Sequence, residues 1–164
     1  MRTLCDHAGM YLASMTTRAY RALIVLAVLA ALAGGVSAVS AQNTDEAGVR
    51  AAIEQYFKGH STRDAATMRA AFLPTAHIEG VRQGRFTSWT VDEYTTNFTG
   101  TPAPNEASNR RTIDSIDIEG TAAMARATLV HGRTTFTDYF VLLKVDGEWK
   151  IANKVYSAAP TAER

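Results

Sequence analysis

The chain has 164 residues, 46% of them hydrophobic, and a formal net charge of +1. That suits one globular domain with a modest core and leaves no room for two. Beyond the pair Arg110-Arg111 there is no basic block, and no aromatic residues are interleaved with Lys and Arg along a strand, so the footprint of a nucleic-acid partner is missing.

Residues 1–41 read as an export signal, with Met15 as an alternative start. Arg18 and Arg21 precede the apolar run Ala22 to Ala33, and GGVSAVSAQ then offers Val-Ser-Ala twice, with small residues where a signal peptidase requires them. Cleavage is expected after Ala41, with Ala38 as the alternative. A run this short is a poor membrane span, so no membrane association is expected after cleavage, and the expected location is periplasmic or secreted. Cys5, the single cysteine, lies upstream of the apolar run, so the mature domain, 42–164, carries neither a lipidation cysteine nor a disulfide. Losing Arg2, Arg18, Arg21 and Asp6 takes basic residues from 17 to 14 and acidic ones from 16 to 15, a mature net charge of −1.

The mature chain divides into a helical front and a β-rich back. Val49, Ala52, Ile53, Tyr56 and Phe57 follow the spacing of a helix with one buried face, with Thr44 or Asp45 as cap and Gly59 as stop. A second, short helix should start at Asp64, bury Met68, Ala71 and Phe72, and end before Pro74. HIEGVRQGRFTSW reads as a hairpin turning at Gln83-Gly84, carrying Ile78 and Trp89. Thr90 and Glu93 make a capping box for a third helix bearing Tyr94 and Phe98. The stretch GTPAPNEASN is the one long loop and a candidate lid.

From Arg110 the chain reads as four strands, RRTIDSIDI, TAAMARATLVHG, TTFTDYFVLLKV and EWKIANKVY, separated by short turns at Glu119-Gly120, His131-Gly132 and Asp146-Gly147. The apolar phase changes between Ile113 and Ile116, the mark of a bulge and hence of a curved sheet. The third strand is apolar in both phases, which predicts a central strand covered on both sides. Three helices and an antiparallel meander that must bury one face on them give an α+β cone.

The order of elements, the opening YFKGHSTRDAATMRAAFLPTAHIEG and the closing DYFVLLKVDGEWKIANKVY resemble the nuclear transport factor 2-like superfamily, in particular its bacterial branch labelled putative lumazine-binding or SnoaL-like. The resemblance covers residues 45 to 157. It implies the cone fold and leaves the activity open, because that fold hosts isomerases, cyclases, dehydratases, hydrolases and non-catalytic proteins. The steroid isomerases of the superfamily use a helix-1 tyrosine, a first-strand carboxylate base and a protonated aspartic acid on a central strand. Tyr56 and Asp138 are similar to the first and third of these. The base has no counterpart: its place falls on Gly80, and strand alternation turns the neighbouring Glu79 to the opposite face.

Asp138 shares a phase with Phe136, Phe140 and Leu142, and Trp149, Ile151 and Asn153 share one on the next strand. An acid and an amide thus point into a cavity walled by aromatics. Asp138 is either a pocket acid whose burial favours its neutral form, or the partner of a cation such as Arg126 on the neighbouring strand. Tyr56 is either an oxyanion donor or a core residue whose hydroxyl finds a partner. His77 should face the outer side of the sheet, and His60 and His131, beside glycines at turns, should be solvated. No residues have metal-ligand spacing, there is no nucleophile elbow, and the absence of a Gly-rich phosphate loop leaves no cofactor implied.

The function expected is an exported small-molecule-binding domain. The candidate catalytic residues, Tyr56 and Asp138, would polarise a carbonyl in the alternative, an isomerase, cyclase or dehydratase-like enzyme. The candidate ligand contacts are Met68, Phe72, Ile78, Trp89, Tyr94 and Phe98 from the front, and Arg126, Phe136, Phe140, Trp149, Ile151 and Asn153 from the strands. A homodimer is expected through the outward face of the third strand, where Tyr139, Val141 and Leu143 form an apolar surface.

Overall fold

A computed structural model describes residues 44–162. The expected leader and Cys5 lie outside the described residues.

The first helix, α1, covers residues 44–62 and buries Val49, Ile53 and Tyr56, as its apolar stripe requires. Gly59 does not stop it. The helix runs on to Arg63, whose φ of 51° closes it, and a Cβ at Gly59 would stand 2.8 Å from Met68 Cα, so Gly59 lets the next helix pack close. Asp45 is helical and not the cap; its carboxylate accepts from Lys144 Nζ at 2.6 Å and Trp149 Nε1 at 3.1 Å, fastening α1 to the sheet.

Helix α2 (Ala65–Arg69) is capped by Asp64, whose side chain accepts from the Thr67 amide at 2.7 Å. It ends sooner than the sequence predicts, and Phe72 instead makes an isolated parallel bridge with Ile151. The hairpin of β1 (His77–Arg82) and β2 (Arg85–Thr90) turns at Gln83-Gly84 as predicted. The reciprocal Thr90 and Glu93 capping box opens α3 (Val91–Thr95). The long loop contains a 3-10 turn at Glu106–Ser108, anchored where Glu106 pairs with Arg111.

Strands β3 (Arg110–Glu119), β4 (Ala122–His131), β5 (Thr134–Val145) and β6 (Glu148–Pro160) form the meander. The β5–β6 connection is the two-residue Asp146-Gly147 turn, with φ of 51° and 84°, the conformation that matches strand twist in tight hairpins. The sheet order is β2-β1-β6-β5-β4-β3, open between β2 and β3, and its one parallel pair, β1 with β6, makes the sheet mixed. Two bulges bend it. The register shift between Ile113 and Ser115 in β3 is the predicted one; the second, opposite Val141 and Leu142, leaves Ala152 of β6 as an extra residue. The concave face packs on the helices, and Phe140, Leu142 and Ile151 are buried there. The outer face of β5 is not covered within the chain: Tyr139, Val141 and Leu143 are exposed.

Candidate functional site

The bulge at Ala152 decides what faces the interior. Trp149 and Ile151 point inward, but one residue of slip then turns Asn153 outward and brings Lys154 and Tyr156 in. Asn153 therefore works on the outer face as a clamp between β6 and β1: its Oδ1 accepts from the His77 amide at 2.9 Å and its Nδ2 donates to Glu79 at 3.3 Å. Glu79 stands on that face too, as alternation predicts, and accepts from Ser88.

Lys154, which sequence reasoning missed, is the centre of the site. Its side chain is 4% exposed and Nζ lies 3.1 Å from Asp138 Oδ2 and 2.9 Å from the Tyr56 hydroxyl. The Tyr56 hydroxyl in turn donates to Asp138 Oδ2 at 2.6 Å. The three side chains form a closed, buried triangle. Nζ also sits 5.1 Å from the ring centroids of both Tyr56 and Tyr156, so aromatic faces replace part of the ammonium's lost hydration. The cation that pairs with Asp138 is thus Lys154. Arg126 stands on the outer face, bound to Asp114 at 2.9 Å, because β4 turns its alternate residues Ala125, Ala127 and Leu129 inward.

The triangle forms one wall of a cavity of about 150 Å³. Of the candidate ligand contacts, Ile78, Trp89, Tyr94 and Phe136 line it. His60, Leu129, His131 and Tyr156 line it as well, and Arg82 stands at its rim. His60 and His131 are not solvated turn residues. His60 follows Tyr56 by one turn on a helix that does not stop at Gly59, and His131 continues the inward phase of Leu129. Their rings are 5.4 Å apart, and His60 Nε2 is 3.0 Å from the Tyr94 hydroxyl. Trp89 and Tyr156 stand nearly parallel, with centroids 6.4 Å apart.

The remaining predicted contacts support the cavity without lining it. Met68, Phe72, Phe140 and Ile151 are buried in the core behind it, Phe98 packs beside His60, and Trp149 lies with Asp45 and Gly48 on another part of the domain. At the position where an isomerase-type base would stand, Gly80 faces Tyr156: a Cβ there would be 2.6 Å from the phenol ring.

Burial sets the protonation of the site. It pushes the Tyr56 hydroxyl well above its usual range, with the adjacent Asp138 charge adding to the effect, and it pushes Tyr94 up likewise. Burial, with the Lys154 charge nearby, holds His60 well below the ordinary imidazole value, and burial lowers His131 too. Lys154 is lowered by burial, partly opposed by Asp138. Burial thus favours the neutral form of both imidazoles, which stand beside the Lys154 and Asp138 pair. Two buried polar atoms on its wall, Asp138 Oδ1 and His131 Nε2, make no hydrogen bond among the described residues. Among those residues no cluster of metal-ligating side chains forms, and no helix is long and apolar enough to cross a membrane.

Residues 44–157 match the family described as "Putative lumazine-binding". Among solved structures, the chain is 30% identical to an NTF2-like protein of unknown function from Shewanella baltica OS155, covering 72% of this chain and 96% of that one with a TM-score of 0.64. It is 31% identical to an NTF2-like protein of unknown function from Methylobacillus flagellatus KT, over 71% of this chain and 93% of that one, with a TM-score of 0.62. A ketosteroid isomerase-like protein from Erwinia carotovora atroseptica shares the fold at 17% identity, over 70% and 96% of the two chains, with a TM-score of 0.52. No curated protein matches the chain significantly. The cone, its helical front and the family match agree, and the chain belongs to the putative lumazine-binding family of NTF2-like proteins.

Proposed function

We propose that the mature domain is an exported binding protein for a neutral small molecule about the size of one aromatic ring. The observation that carries this reading is the unpartnered Asp138 Oδ1, on a side chain 1% exposed, at the wall of an aromatic-lined cavity. A buried carboxylate oxygen without a donor is costly, and a ligand hydroxyl or amide would satisfy it. An anionic ligand would meet that oxygen, and a cationic one would meet Lys154, both in a site of low dielectric. A neutral ligand avoids both penalties. The volume of about 150 Å³ is that of a cavity that takes a single benzene-sized ring, too small for a four-ring steroid.

The isomerase-like alternative has less support. The Tyr56 proton is engaged by Asp138, which is itself paired with Lys154, so neither is a free donor to a carbonyl. No carboxylate stands at the first-strand base position, which Gly80 occupies. The likeness to the isomerase-like protein extends to fold alone.

Export rests on the apolar run and VSAVSAQ of the leader. Assembly as a homodimer is part of the same proposal: Met124, Tyr139, Val141, Leu143 and Val155 leave a continuous apolar outer face that a second copy would cover.

Ligand-observed NMR with neutral monocyclic alcohols and amides tests the binding reading. Saturable binding to the wild-type domain is expected, with loss in Leu129→Trp, where the indole would fill the cavity while a chemical-shift fingerprint confirms the fold. No binding by the wild type, or equal binding by both, would overturn it.

A further inference from the structure

We propose that Lys154 is a nucleophilic amine that holds a small neutral aldehyde or ketone in the cavity as a reversible imine. The proposal rests on the small-molecule reading above and names the ligand class. The chain has four lysines, and only Lys154 is buried and lines this cavity; Lys144 and Lys150 are 32% and 31% exposed in ion pairs on the surface, and Lys58 lies on α1 away from it.

Its surroundings fit imine chemistry. A lysine becomes a nucleophile when a desolvated setting favours its neutral form, and burial acts on Lys154 in that direction. Asp138 Oδ2, 3.1 Å from Nζ, is placed to take the proton, and the Asp138 carboxyl lines the cavity in which the carbonyl oxygen would collect it. A neutral carbonyl compound is also the class that the ion pair tolerates. An apolar pair of similar volume would serve stability as well, so stability alone does not account for a buried Lys and Asp at a cavity wall.

The step balances without any further reagent. The Lys154 ammonium passes a proton to Asp138, and the neutral amine attacks the carbonyl carbon while Asp138 returns that proton to the carbonyl oxygen. The C–N bond forms as the C=O π bond opens. The carbinolamine then loses its hydroxyl as water, Asp138 relaying the second nitrogen proton to the leaving oxygen. Ammonium and carbonyl thus become iminium and water, and the iminium takes the ammonium's place beside the Asp138 carboxylate, with the net charge of the pair unchanged. Hydrolysis reverses the sequence and frees the ligand.

The test is reductive trapping on the mature chain with benzaldehyde and sodium cyanoborohydride at neutral pH, read by peptide mass mapping of all four lysines. The expected result is saturable benzylation of Lys154, at least about tenfold faster than at Lys58, Lys144 or Lys150, because a desolvated amine is the readier nucleophile. Leu129→Trp, which keeps Lys154 and fills the cavity, should bring its labelling down to that of the surface lysines. Lys154→Arg should show no adduct at residue 154, with circular dichroism reporting whether it folds. Uniform labelling of the four lysines, or Lys154 labelling unchanged in Leu129→Trp, would overturn the proposal. Benzyl alcohol, which has the ring and no carbonyl, separates the two readings. If it binds and benzaldehyde leaves no adduct, the imine is wrong and the binding cavity stands; if neither binds, both fall.

Discussion

Lys154 Nζ and Asp138 Oδ2 lie 3.1 Å apart with their side chains 4% and 1% exposed, an ion pair set diagonally across β5 and β6, where Asp138 is paired with Tyr156 and Phe140 with Lys154. Buried pairs of this kind hold little net stability but break at high cost, because removing one partner leaves the other charged and uncompensated.

Asp138→Asn should therefore lower stability by roughly 3 kcal/mol or more at neutral pH. The double substitution Asp138→Leu with Lys154→Met should recover most of that loss, since neither charge then remains. Urea unfolding of the two variants and the wild type measures both. A loss below about 1 kcal/mol in Asp138→Asn would mean that the pair is not charged in the folded chain.

Acidification should destabilise the domain before most carboxylates titrate. His60 and His131 are both held below the free imidazole value of 6.5, so the unfolded chain binds more protons than the folded one just below that pH. The stability they contribute is complete above about 6.5 and is lost as the pH falls toward their folded values, by at most about 1.4 kcal/mol per pH unit for each imidazole. Denaturant unfolding at about pH 7.5 and about pH 5 should show the fall, and His60→Gln should flatten it. Stability that stayed level or rose on acidification across this window would contradict the burial of the two rings.

The outer face gives a prediction about mass. Val141 is 45% exposed at the middle of the apolar surface, so Val141→Glu should turn a homodimer into a monomer with little change in the monomer's fold. Light scattering across a concentration series measures it. A wild-type chain that stays monomeric at high concentration would remove the dimer.

Export predicts a chemical terminus. Protein recovered from the periplasm or medium should begin at Gln42, as read by N-terminal sequencing, and material still carrying Thr16 would show that the leader is retained.

Most of the fold was legible because its signals are local. The Asp64 cap, the Thr90 and Glu93 box, the two-residue turn at Asp146-Gly147 and the β3 bulge all follow from neighbouring residues. The site was half legible. Tyr56 and Asp138 were recognisable, and so were Ile78, Trp89, Tyr94 and Phe136, but counting forward from the turn with even alternation sets Asn153 inward and Lys154 outward. Nothing in IANKVY marks Ala152 as the extra residue that reverses this, because alanine fits either face. The hint lay elsewhere: an aspartate in an apolar strand requires a cation, and an inward Tyr156 brings Lys154 in with it. For His60 the lost signal was simpler, since a glycine in mid-helix looks like a stop until the helix beside it is seen to need the space.

The contact between Gly80 and Tyr156 constrains how this site could change by descent. The phenol ring lies where a side chain at residue 80 would go, 2.6 Å from the Cβ position, and its hydroxyl is held 2.9 Å from Thr87 Oγ1. A carboxylate introduced at residue 80 would strike the ring unless Tyr156 moves. Moving or shrinking Tyr156 to make room would disturb a cavity wall and one of the rings around Lys154. An acid at residue 80 therefore comes at the expense of the aromatic surroundings of Lys154.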